Sequence, residues 1–195
     1  VNLVVVACNT ASSCSLLSLR REFSIPIIGV VKPGIQKALE VTRNGRIGII
    51  GTEGTIRSRT YEKIIHKQNN RVKTYSQACP LFVPLVEEGW FDGPITAEIV
   101  KHYLAPLKKA KVDTVILGCT HYPLLKEVIK KVMGPTVKLI DSAFAVATLV
   151  RESLAYRKAR KRDVVFYVSD EPGKFIQAGE KFIGKKIENV HWVRL

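Results

Sequence analysis

No stretch of this 195-residue chain approaches the roughly 18 consecutive apolar residues that a membrane helix requires. The apolar run at 1–7 is too short for a secretory signal, and no basic residues precede it. Cysteine is sparse. Cys8, Cys14, Cys79 and Cys119 include no pair at zinc-knuckle spacing, and four thiols are too few for a disulfide framework. Free thiols in a reducing cytoplasm are the expectation. The dinucleotide fingerprint, the P-loop lysine and base-reading nucleic-acid motifs are all missing. Strong compositional bias is missing as well: 46% of residues are hydrophobic and 25% charged, which describes a globular protein rather than a disordered one. Membrane, collagen-like and disulfide-scaffold classes are excluded.

The charge is high, with 31 basic against 17 acidic residues. It is spread along the chain: the first 150 residues carry 20 basic and 11 acidic, the last 45 carry 11 and 6. The one dense run is Arg157, Lys158, Arg160, Lys161 and Arg162. Such a surface attracts nucleic acid or steers an anionic substrate, but with base-reading motifs missing a solvated helix end and loop is the favoured account of the run.

Short runs rich in Val and Ile lie at 3–7, 47–50, 114–117, 137–140 and 164–168. Continuous apolar runs of this kind predict strands of a parallel sheet covered on both faces. Between them the spacing predicts helices over 56–66, 95–109 and 124–132, with proline and glycine at the joints. Alternation of this kind implies an α/β fold built from βαβ units. A doubly covered strand opening at residue 1, without an initiating Met, leads us to expect a further βα segment upstream of Val1.

An internal repeat carries the most information. Val1-Asn2-Leu3-Val4-Val5-Val6-Ala7-Cys8-Asn9-Thr10 aligns with Val112-Asp113-Thr114-Val115-Ile116-Leu117-Gly118-Cys119-Thr120-His121. Each copy sets a cysteine at the carboxyl end of a strand, where open α/β sheets bind ligands. Asn9, Thr10 and Ser12, and Thr120 in the second copy, are expected as helix caps. The helix N-terminus is expected to lower the adjacent thiol pKa from about 8.5 toward neutrality. His121 is a candidate proton partner. Paired equivalent acid/base groups suit inversion at a carbon bearing an acidic hydrogen: one group takes the proton from one face and the other delivers one to the opposite face. A lone nucleophilic cysteine would need no second copy. After the strand at 47–50, Gly51-Thr52-Glu53-Gly54-Thr55 is either a carboxylate site or a plain βα turn. Glu87 and Glu88 read as a solvated pair.

The stretches Ala7-Cys8-Asn9-Thr10-Ala11 and Gly118-Cys119-Thr120-His121-Tyr122-Pro123 resemble the two signature motifs of the glutamate racemases. The segments Gly29 to Gly34, Gly48 to Thr52 and Cys79-Pro80-Leu81 are similar to further family segments in the same order, so that residues 1 to about 145 are covered. His121 favours the glutamate enzymes over the related aspartate racemases, which typically carry Glu there.

The resemblance implies two similar flavodoxin-like α/β domains with parallel sheets and the site between them. One comprises 1–32 plus 140–195, the other 33–139. It implies a cofactor-independent racemase, without metal, nucleotide or pyridoxal phosphate, making D-glutamate for peptidoglycan in the cytoplasm. Cys8 would act on the D-enantiomer and Cys119 on the L-enantiomer, assisted by His121 and supported by Glu87. Asn9, Thr10, Thr52, Thr55 and Thr120 would bind substrate. A small-molecule substrate, no membrane and no nucleic acid are implied, and a homodimer is allowed. The family's Gly-rich opening strand with its Asp-Ser pair has no counterpart here, and whether these residues suffice without it is left open. The competing readings are a racemase of aspartate or another amino acid, and a basic nucleic-acid-binding protein with inert cysteines.

Overall fold

In the computed structural model the described residues are 1–154 and 163–194, so the basic run at 157–162 lies outside them. The chain divides into two units, Val1–Ala155 and Tyr156–Leu195. The first unit opens with β1 (Val4–Val6), α1 (Asn9–Cys14), α2 (Leu16–Glu22) and β2 (Ile27–Gly29). It continues with α3 (Val31–Val41), β3 (Arg46–Gly51), α4 (Glu53–Ser58), α5 (Thr60–Gln68) and β4 (Lys73–Ala78). Next come α6 (Phe82–Glu87), α7 (Pro94–Lys109), β5 (Thr114–Gly118), a 3-10 turn (Tyr122–Leu125), α8 (Lys126–Met133), β6 (Lys138–Ile140) and α9 (Ser142–Ser153). The second unit holds β7 (Phe166–Val168), α10 (Pro172–Ile183) and β8 (Val190–Trp192).

Every strand pairing among the described residues is parallel, and strand alternates with helix, as the α/β class requires. The larger sheet has the order β4-β3-β5-β6, a second sheet pairs β1 with β2, and β7 pairs with β8. The two central strands show why continuous Ile/Val runs become parallel strands. Ile47, Ile49 and Ile116 face α3 and α5, packing on Val31, Ile35, Tyr61 and Ile65. Ile50, Val115 and Leu117 face the opposite way, onto Phe82, Leu85, Val100 and Leu104. Both faces are dry, and each fully buried Ile or Leu contributes about 1.5–3 kcal/mol. Among the described residues, no helix is long and apolar enough to cross a membrane.

Several local expectations are corrected. β1 is only partly buried and Val5 is exposed, because within the described residues its sheet has two strands, each with a single neighbour. Strands β2, β4 and β8 were not among the expected strands. β4 is an edge strand reading Lys-Thr-Tyr-Ser-Gln-Ala, half-covered and therefore half-polar. The helix expected over 56–66 is two helices, broken at Arg59, whose φ of 52° is left-handed. The helix expected over 124–132 starts with the tighter 3-10 turn.

The end of the sheet away from the cysteines is tied by Asp113. Its carboxylate accepts from the backbone N–H groups of Arg43 and Asn44, both at 2.7 Å, and from the hydroxyls of Thr42 and Thr114. Burial pushes the carboxyl pKa up, but the bonds from Asn44, Thr42, Arg43 and Thr114 outweigh it and hold the group below its ordinary value. Because the folded value is the lower one, the stabilisation is complete above the unfolded value of about 3.9 and is lost as pH falls below it. Asp113→Asn is expected to cost about 1–3 kcal/mol at pH 7. Thermal melting should show this loss shrinking as pH falls below the unfolded carboxyl's value of about 3.9, because the bonds hold the folded carboxyl lower. A pH-independent loss would refute the assignment.

Candidate active site

Both cysteines of the repeat stand at strand carboxyl ends. Cys8 follows β1 and is the N-cap residue of α1, its carbonyl accepting from the Ser12 N–H at 2.9 Å. Cys119 follows β5 directly. Cys8 is exposed and Cys119 buried, at 8% relative exposure.

The polar residues after Cys8 do not cap its helix, as expected from sequence. They lie inside the helix and point sideways. Asn9 Nδ2 donates to the Tyr61 hydroxyl at 2.8 Å. Thr10 Oγ1 lies 2.8 Å from Thr52 Oγ1 and 3.0 Å from Thr55 Oγ1. Ser12 Oγ donates to the Val6 carbonyl and accepts from the Val30 N–H. Thr52, at the N-cap of α4, does cap, accepting from the Thr55 N–H. Three threonine hydroxyls from two helix starts therefore converge on one spot, each able to turn its proton toward an anion. Thr120 likewise makes no cap; its hydroxyl bonds the Cys119 sulfur and lies 3.5 Å from His121 Nδ1.

A line of groups leads away from the second thiol. His121 Nδ1 lies 3.7 Å from Cys119 Sγ, and its Nε2 lies 3.4 Å from Glu87 Oε1 at the end of α6. The Glu87 side chain is 61% exposed, so this carboxylate touches both solvent and the imidazole. The geometry can orient the ring and support charge on it. Glu88 has no part in this line.

The expected lowering of the thiol pKa does not hold for Cys119. Burial pushes it up and is the largest influence. The N–H groups of His121 and Tyr122 and the Thr120 hydroxyl favour the thiolate, while negative charge on Cys8 disfavours it. The donor cradle that a strand-to-helix turn offers is present, but desolvation wins. Cys119 is thus held as a neutral thiol near neutral pH. Negative charge on Cys8 is among the influences that raise the Cys119 thiol, so Cys119 lies within electrostatic reach of Cys8.

Of the other thiols, Cys14 is exposed, whereas Cys79 is fully buried and its pKa is driven up by that burial. The Cys79 carbonyl accepts from the buried Tyr122 hydroxyl at 3.0 Å, which braces the chain behind Cys119. Sequence reasoning missed Tyr122 and Tyr61, since a tyrosine in an amphipathic segment reads as core.

The family pattern described as Asp/Glu/Hydantoin racemase matches residues 1–150. The chain belongs to this family. It is 48% identical to a glutamate racemase of Geobacter metallireducens, over all of this chain and 74% of that one. Among solved structures, a glutamate racemase from Bacillus anthracis superposes with a TM-score of 0.93 at 39% identity, covering 100% of this chain and 74% of that chain. A glutamate racemase from Francisella tularensis, solved in complex with D-glutamate, gives 0.89 at 34% identity over 99% and 73%. A racemase must serve both faces of one carbon, and this chain carries a thiol at the carboxyl end of each of two strands.

Proposed function

We propose that this protein interconverts L- and D-glutamate without a cofactor, using Cys8 and Cys119 as the two acid/base groups. The observation that carries the mechanism is the pair of thiols at strand carboxyl ends, one of them backed by His121 and Glu87. The substrate is argued from the glutamate racemases that this chain resembles in sequence and fold.

In the direction from D to L, the Cys8 thiolate takes the Cα proton, and the electron pair passes into the carboxylate-stabilised carbanion. The Cys119 thiol then delivers its proton to the opposite face. Burial keeps Cys119 protonated for that step. In the reverse direction Cys119 must first lose its proton, and His121 at 3.7 Å is placed to take it, with Glu87 supporting the imidazolium. Asn9, Thr10, Thr52, Thr55 and Thr120 hold the substrate carboxylates, the converged hydroxyls of Thr10, Thr52 and Thr55 offering hydrogen bonds to an anion.

The same proposal keeps 33–139 as one α/β domain, carrying most of the larger sheet, and assigns 140–195 to the domain opened by 1–32. It places the enzyme in the cytoplasm, supplying D-glutamate for peptidoglycan, and allows a homodimer that sedimentation would reveal. The test is the circular dichroism of D-glutamate incubated with the intact protein and no added cofactor. The signal should decay to zero. A stable signal with glutamate and decay with aspartate or another amino acid would overturn the substrate assignment.

A further inference from the structure

Helix α1 carries Cys8 at its head, so whatever holds α1 also sets where that thiol can reach. The left-handed Arg59 turns the chain sharply between α4 and α5, bringing the first two residues of α5 against α1. There Thr60 Oγ1 donates to the Ser13 carbonyl at 3.0 Å, and the Tyr61 hydroxyl accepts from Asn9 Nδ2 at 2.8 Å. Asn9 and Ser13 are four residues apart and share a helix face, so α5 grips one side of α1 at two points. The two grips differ in kind. The Thr60 bond is partly exposed, whereas Asn9 is 3% and Tyr61 1% exposed, so the Tyr61 bond is dry and has no water to replace it. It also falls on the residue next to Cys8.

We infer that Tyr61 is a positioning residue: its buried hydroxyl holds Asn9 and thereby fixes the Cys8 thiol over the substrate carbon. This rests on the two-thiol racemase reading. Tyr61 does not act as an acid or base itself. Burial, opposed by the Asn9 bond and reinforced by negative charge on Cys119, pushes its hydroxyl up to about 12. It stays neutral, and its work is geometric.

The test is Tyr61→Phe, which keeps the ring that fills the core and removes only the oxygen. Turnover in both directions is expected to fall about tenfold or more, with KM moving much less, as for a small misplacement of a reacting group. The decisive readout is the primary isotope effect. With the Cys8 step slowed, the effect on Cα-deuterated D-glutamate should rise and that on Cα-deuterated L-glutamate should fall, because the D-side barrier becomes limiting. General damage moves both together. Thr60→Val, which loosens α1 at its other grip, should leave that balance unchanged. Wild-type turnover in Tyr61→Phe, isotope effects that do not diverge, or the same divergence in Thr60→Val would each overturn the assignment. A second readout needs no substrate: alkylation by iodoacetamide should change several-fold at Cys8 in Tyr61→Phe and stay constant at Cys14. No change at Cys8 refutes the role. If the wild type fails to racemise glutamate, the functional reading falls, while the alkylation comparison still judges Tyr61.

Discussion

Replacing either Cys8 or Cys119 by serine is expected to reduce racemisation by about 10²–10⁴-fold, the range over which a positioned acid/base group contributes. The hydroxyl nearly fills the sulfur's place, but its proton is held far more tightly at neutral pH, so serine cannot serve as the base. Both directions must fall together even though each variant disables one face. Conversion of D to L needs Cys8 as base and Cys119 as acid, conversion of L to D needs the reverse, and the equilibrium between enantiomers ties the two values of kcat/KM. Polarimetry on each pure enantiomer measures the loss. Full activity in either variant would contradict the two-thiol account.

The second large effect is expected at Gly118, the residue before Cys119. β3 and β5 run so close here that Gly51 and Gly118 pair directly. A Cβ on residue 118 would stand 2.5 Å from the Ile50 carbonyl oxygen. That obstacle is backbone in the middle of the sheet, which cannot rotate aside as a side chain could. Gly118→Ala must therefore push β5 away from β3, at an expected cost of about 1–3 kcal/mol. The displaced residue is the one that leads into the thiol. A shift of about 1 Å costs roughly a hundredfold in rate when it moves a reacting group. Melting and turnover should thus both fall in Gly118→Ala. Wild-type values of both would show that the strands have room to spare and that the thiol's position is not set by this contact.

Legibility in the sequence followed the length scale of the physics. β3 and β5 were readable because strands buried on both faces must be continuously apolar, and Ile47 to Ile50 and Val115 to Leu117 are. β4 was not, because an edge strand needs only half its surface covered, and Thr74, Ser76 and Gln77 look like loop. The break at Arg59 left no mark, since neither glycine nor proline signals it. In the candidate site, the duplicated setting of Cys8 and Cys119 exposed them by repetition alone. Thr52 stood out from its glycine-flanked turn. The approach of Glu87 to His121 crosses from α6 to the loop after β5, and no local pattern encodes it; only the family resemblance singled out that glutamate. The raised pKa of Cys119 was hidden for a related reason: the donors that favour a thiolate belong to the local turn, but the burial that outweighs them comes from the whole fold. Tyr61 was invisible for the same reason, its contact with Asn9 lying between separate layers.

The two-thiol account is tested most directly by running L-glutamate with the intact protein in deuterated water and stopping at low conversion. Separate groups on the two faces predict deuterium at Cα in nearly every D-glutamate formed, while the recovered L-glutamate keeps its original hydrogen. Deuterium appearing equally in product and recovered substrate would mean that a single group serves both faces, and the paired roles of Cys8 and Cys119 would be wrong.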